Sequence, residues 1–221
     1  MVLDLGSLLF PLLLSFDKKV AFYKEWKFLF PGILAGMLVF IPWDEWFTRA
    51  GIWSFNPEYL TGFHIGSLPL EEWLFFIVVP YACVFIYACL NAYFGDPLRK
   101  LGPWFFVAMA LVSAVLVSGW YDRTYTLVTF GLIPFAMGWH YFVFGTRLMG
   151  KITFMWLVHL VPLFLINGVL TSEPVVRYND FENLGIRIGT VPFEDSFYSF
   201  LLLLIVVSIM EYLKGKAKAK A

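Results

Sequence analysis

Residues 66–76 read Gly66-Ser67-Leu68-Pro69-Leu70-Glu71-Glu72-Trp73-Leu74-Phe75-Phe76. The same device returns 123 residues later, at 189–199, as Gly189-Thr190-Val191-Pro192-Phe193-Glu194-Asp195-Ser196-Phe197-Tyr198-Ser199. The match extends upstream without a gap, NPEYLTGFHI from Asn56 against NDFENLGIRI from Asn179. The identities are Asn56/Asn179, Gly62/Gly185, Ile65/Ile188, Gly66/Gly189, Pro69/Pro192 and Glu71/Glu194. Glycines, prolines and an acid dominate them, rather than the common Leu or Val, which marks an internal repeat. Each copy reads as the entrance to a helix. Ser67 and Thr190 suit N-caps, and each proline suits a first turn, where its missing N–H is no loss. Acids in that turn complement the helix dipole. The dipole alone does not explain why doubled acids are followed at once by aromatic residues.

Working outward, the composition says where those helices go. Of 221 residues, 60% are hydrophobic, 20% aromatic and 14% charged. An ordinary soluble domain is about 45–50% apolar and about 25% charged. A soluble chain of this size has too much surface to hide so much apolar matter. A soluble monomer, a disordered chain and a disulfide-stapled secreted domain are excluded. Cys83 and Cys89 lie six apart in one apolar run, point in different directions and read as buried thiols.

A membrane helix needs about 20 apolar residues. Seven continuous runs approach that length, at 2–16, 28–47, 69–92, 103–121, 124–144, 151–170 and 192–212, the first being short. They do not alternate as barrel strands would. The first has no Lys or Arg before it and no Ala-x-Ala after it, so it reads as a membrane helix and not a signal peptide. The expected fold is an all-α integral membrane protein with seven transmembrane helices. Two parallel three-helix repeats, 1–100 (spans one to three) and 123–221 (spans five to seven with a basic tail), are joined by a linking helix at 101–122. Three spans invert the chain and one linking span restores it, so the copies relate by a pseudo-twofold along the membrane normal.

The basic residues orient this arrangement. Lys18, Lys19, Lys24, Lys27, Arg99, Lys100, Arg147, Lys151, Lys214, Lys216, Lys218 and Lys220 share one side, and only Arg49, Arg123, Arg177 and Arg187 take the other. By the positive-inside rule the C-terminus is cytoplasmic and the N-terminus outside. Eleven of the sixteen acids gather on the outer side. Formal net charge is zero, which gives no global attraction to nucleic acid.

The outer acids suggest chemistry. A carboxyl in apolar surroundings stays protonated more readily, and two neighbouring carboxyls do not comfortably ionise together. Such a pair can deliver one proton and accept another. Aromatic faces stabilise a developing cation, and excluding water protects it. These are the needs of a proton-initiated olefin cyclisation. The candidates are Glu71, Glu72, Glu194, Asp195 and, near the outer end of span two, Asp44, with Asn167 at the equivalent place in the second copy. Plausible walls are Trp43, Trp53, Phe55, Phe75, Phe76, Phe197 and Tyr198. Other chemistries fit poorly. There is no GxGxxG, no Walker loop, no DDxxD cluster, and His64, His140 and His159 lack metal-ligand spacing, so neither cofactor nor metal is expected. The last span has no mid-helix lysine for a retinal. A transporter would want polar mid-span faces, which LLLLIVVSIM lacks. A non-catalytic carotenoid- or lipid-binding membrane protein would want the aromatics but not the doubled acids.

PWDEWFTRAGIWSFNPEYLTG, SLPLEEWLFF and PVVRYNDFENLGIRIGTVPFED together resemble the membrane-embedded lycopene cyclases. These are the heterodimeric bacterial type, here as a single-chain fusion of both halves, and the cyclase part of bifunctional fungal carotenoid enzymes. The resemblance implies carotenoid biosynthesis by non-redox isomerisation, an intramolecular-lyase type of reaction, taking lycopene through γ-carotene to β-carotene. It carries the PxE[ED] acids onto Glu71, Glu72, Glu194 and Asp195, the second copy departing with Asp195 and Phe193. A neutral Glu71 or Glu194 is the expected proton donor, with a neighbouring carboxylate as base. The implied partners are lycopene, the bilayer and other carotenoid-pathway enzymes, and the implied location is a bacterial-type plasma membrane.

Overall fold

The computed structural model describes residues 2–220, with side chains from residue 5. The chain is mostly helical: α1 (Val2–Leu14), α2 (Trp26–Ala50), α3 (Leu70–Tyr93), α4 (Gly102–Gly119), α5 (Thr124–Phe144), α6 (Met149–Ser172) and α7 (Phe193–Lys218). Six helices, α2 to α7, are long and apolar enough to cross a membrane. The first differs from the expected span 2–16. At 13 residues α1 falls short of the roughly 20 that cross as a straight helix. It stops where Ser15, buried, turns its hydroxyl back to the Pro11 carbonyl at 2.6 Å and meets the Tyr81 hydroxyl at 2.6 Å.

The helices pack in a pattern that follows the repeat spacing. Helix α1 packs on α3 as α5 packs on α7, and α2 packs on α7 as α6 packs on α3. Helix α4 lies outside, against α5 and α6. Helix α7 is the hub. It is apolar all round, as a fully enclosed helix must be, and Leu201 to Leu204, Val206 and Val207 are all buried. Its tightest neighbour is α2, which presents Gly32 and Gly36, a small-xxx-small face. A Cβ on Gly32 would stand 2.8 Å from the Val206 carbonyl oxygen, so the backbones meet there only because no side chain intervenes.

The outer loops are not plain coil, and the all-helical expectation needs correcting there. Three two-stranded ribbons form: β1 (Trp53–Phe55) with β4 (Val176–Tyr178), β2 (His64–Ile65) with β3 (Leu68–Pro69), and β5 (Arg187–Ile188) with β6 (Val191–Pro192). In the first, Ser54 pairs with Arg177, Trp53 with Tyr178 and Phe55 with Val176, all antiparallel. The central pair is separated by 123 residues, so each loop pairs with its own counterpart. Flanking bonds mirror one another: Asn56 N–H donates to the Val175 carbonyl at 2.8 Å, and Asn179 N–H to that of Ile52 at 2.9 Å.

The N-cap expectation is also corrected. Pro69 and Pro192 themselves occupy the cap positions, in extended backbone, and no side chain caps either helix. Ser67 and Thr190 instead sit in the tight turns of the hairpins, where Gly66 and Gly189 take φ +70° and +64°. The first helical N–H is met by the far hairpin arm: Leu70 donates to Phe63 O at 2.8 Å, and Phe193 to Ile186 O at 2.9 Å.

Candidate active site

The hairpins deliver two adjacent acids at the first turn of α3 and of α7, and adjacent helical residues point about 100° apart. The first acid of each pair turns outward to the loop. Glu71 Oε1 accepts from Thr61 N–H at 2.8 Å. Glu194 Oε1 accepts from Leu184 N–H at 2.8 Å and from the Thr126 hydroxyl at 2.6 Å. Both carboxyls therefore clasp the loop that leads into their helix, and neither lines the cavity described next.

The second acid of each pair turns inward. Glu72 and Asp195, with Asp44, line a cavity of about 300 Å³ between α1, α3, α6 and α7, roofed by the β1–β4 ribbon. Trp53, Phe55, Phe75, Tyr125, Tyr178 and Tyr198 surround the carboxyls. Below them the lining is mainly apolar, with Val79, Cys83, Ile86, Leu163, Leu202 and Leu203. The other proposed wall residues pack behind it. Trp43 stacks on Phe40 and meets Tyr198 edge-on at 5.0 Å. Phe76 is buried against Phe40 and Phe75. Phe197 sits among Phe130, Trp156 and Phe193.

The two inward acids have different surroundings. Asp195, 4% exposed, accepts from the Tyr125 hydroxyl at 2.8 Å, the Tyr178 hydroxyl at 2.8 Å and the Asn167 amide at 3.1 Å. Three donors on one carboxylate favour the anion, and burial opposes it. Tyr178 remains a donor, since burial, and then the charge of Asp195, push its hydroxyl well above the usual tyrosine range. At a spacing of 123 residues, Tyr125, Tyr178 and Asn167 correspond in sequence to Val2, Phe55 and Asp44. Two hydroxyls are gone and the amide has become a carboxyl. Asp44, 2% exposed, accepts from the Tyr198 hydroxyl at 2.7 Å and lines the same cavity as Glu72. Two neighbouring carboxyls do not comfortably ionise together. The pair also lies close enough to Asp195 for the charges to act on each other.

Tyr125 and Tyr178 are contributors that motif reading passed over. For Tyr178 a signal existed, since it stands opposite Phe55 in the repeat and differs only by a hydroxyl. Tyr125 belongs to no repeated motif. Among the described residues no group of three or more His, Cys, Asp or Glu is placed to hold a metal ion.

Fold and site together define a multi-pass membrane protein with a buried carboxyl cluster above an apolar cavity. Comparison with known proteins makes the assignment sharper: the chain belongs to the lycopene cyclase family, whose model matches residues 1–90 and 122–213. Curated relatives are fungal proteins named bifunctional lycopene cyclase/phytoene synthase. That of Leptosphaeria maculans is 27% identical over 167 residues, 75% of this chain and 25% of that protein. That of Aspergillus oryzae is 25% identical over 127 residues, 55% of this chain and 19% of that protein. That of Pyrenophora tritici-repentis is 39% identical over 51 residues, 23% of this chain and 9% of that protein. The chain thus spans a quarter or less of the length of these relatives in the matched regions. No solved structure matches it.

Proposed function

We propose that the protein is an enzyme that cyclises the ends of lycopene to ionone rings, giving γ-carotene and then β-carotene, by an intramolecular isomerisation without net redox change. One observation carries the proposal: a single apolar cavity is bounded by two neighbouring carboxyls, Asp44 and Glu72, and by a third, Asp195, held by three donors. The pair is built to give a proton and the third to take one.

In this mechanism the Asp44–Glu72 pair protonates C2 of the terminal double bond. The electron-deficient C1 is attacked by the C5=C6 bond, which forms C1–C6 and moves the cation to C5. Asp195 removes the proton from C6, and the C–H electron pair closes C5=C6 of a β ring. One proton enters and one leaves, so substrate and product are isomers. Trp53, Phe55, Phe75, Tyr178 and Tyr198 face the cation. General acid–base assistance of this kind contributes about 10²–10⁴-fold. Glu71 and Glu194, the donors suggested by motif alone, act in this scheme as clasps that hold the outer loops over the site.

We further infer seven spans, with α1 tilted little or starting in the interface, arranged as two parallel three-helix copies (1–100 and 123–221) linked by 101–122. The outer, acid-rich end carries the site and the basic C-terminal tail is cytoplasmic, in a plasma membrane of bacterial type. Recurrence of the same loop hydrogen bonds at a spacing of 123 residues supports the copies. The test is expression in a lycopene-accumulating bacterial host with pigment chromatography. β-Carotene should replace lycopene. Unchanged lycopene would mark a carotenoid binder or a transporter instead.

A further inference from the structure

We infer that the polyene enters the site sideways from the bilayer, through a portal between α1 and α6, and that this portal has no open counterpart in the second half of the molecule. The inference rests on the carotenoid reading above and extends it to the route of the substrate.

Size comes first. A cavity of about 300 Å³ lies at the small end of the range of about 300–1,000 Å³ for small-molecule pockets. That suits one isoprenoid end group and not a forty-carbon chain, so the rest of a bound polyene must leave through an opening. The cavity is also elongated. Its lining on α6 runs from Asn167, beside the carboxyls, down to His159, eight residues or about 12 Å along a helix. The slot therefore runs along α6, with His159 among apolar side chains at the far end of that lining.

One wall is open. Helices α1 and α6 each pack on α3 but make no extended contact with one another among the described residues. Both line the cavity, α1 with Gly6, Ser7 and Phe10, and α6 with Ile166 and Leu170. Phe10 borders the cavity while 69% exposed, which places it at a rim. Among the described residues nothing lies within 4 Å of where a Cβ on Gly6 would stand.

The other half shows what closure looks like. The counterparts of Gly6, Ser7 and Phe10 are Thr129, Phe130 and Ile133, all fully buried. Phe130 fills the space against Phe197, ring centroids 4.8 Å apart. The counterparts of Met155 and His159 on α6 are Gly32 and Gly36 on α2. The glycines let α2 settle onto Val206 and Leu202 of α7. With Met155 and His159 instead, α6 stands off, and Cys83 and Val79, the counterparts of Val206 and Leu202, face the cavity. Helices α5 and α2, the counterparts of α1 and α6, likewise make no extended contact among the described residues, so the difference lies in side chains that are buried in one half and border the cavity in the other.

The test uses full-length protein made in a lycopene-producing host. Total carotenoid retained by the purified protein, lycopene and ring product together, is read by visible absorbance per protein, and conversion by pigment chromatography of the membranes. Gly6→Phe and Ile166→Trp fill the portal from opposite sides. Each should lower both retained pigment and conversion by about tenfold or more at unchanged membrane level. Leu13→Phe, on the lipid face of α1 and outside the lining, should match the parent. Parental pigment and conversion in both portal variants would overturn the inference while leaving the cyclase reading intact. A parent that retains lycopene without converting it, with retention lost in both variants, would support the portal and overturn the cyclase reading. A parent that neither retains nor converts carotenoid would overturn the portal.

Discussion

The two halves of the site share one sequence pattern and end in different surroundings. Both place a Pro-x-acid-acid entrance under a two-strand hairpin, and both aim the second acid at the cavity. In the second half Asp195 is wrapped by Tyr125, Tyr178 and Asn167. In the first, the matching positions are Val2, Phe55 and Asp44, and Glu72 and Asp44 line one cavity. In the proposed mechanism these three differences separate an acid from a base.

That contrast can be broken from either side. Asp195→Asn removes the base while keeping its size, and ring formation should fall by about 10²-fold or more, the usual range for a lost acid–base group. Pigment analysis in the lycopene-accumulating host measures it. Asp44→Asn makes the first half resemble the second and removes one of the two neighbouring carboxyls, with an expected loss of similar order, about 10²-fold. Tyr178→Phe makes the second half resemble the first at one position. A hydrogen bond to a charged group contributes about 1.5–3 kcal/mol, so a roughly tenfold or larger drop in initial rate is expected. Glu71→Gln separates the outward acids from the inward ones. It keeps an acceptor for Thr61 N–H, so conversion should stay within about threefold of the parent, any change showing as a lower melting temperature from a weakened hydrogen bond worth about 0.5–1.5 kcal/mol.

The helices were readable from sequence because hydrophobic length carries them. Helix α1 came out shorter than its apolar run, since Ser15 is committed to Pro11 and Tyr81, a tertiary bond that no local pattern announces. The proline caps were misread because the partner of the Leu70 N–H is Phe63, across a hairpin that forms only when the loop folds back. The candidate acids were identifiable as a set. Which of two neighbours faces the cavity was not, since a rotation of about 100° between them decides it and depends on how the helix docks. Asp44 and Tyr198 lie 154 residues apart, and only packing of α2 on α7 brings them together.

The central claim is one composite site, acid from one half and base from the other. It is tested most directly by comparing Asp44→Asn, Asp195→Asn and the double variant for γ-carotene and β-carotene formed from lycopene. If the halves act as a unit, each single variant loses both rings, and the double variant falls no further than the worse single one. Two independent sites would contradict the account: each single variant would keep about half the ring-forming rate, and only the double variant would lose it all.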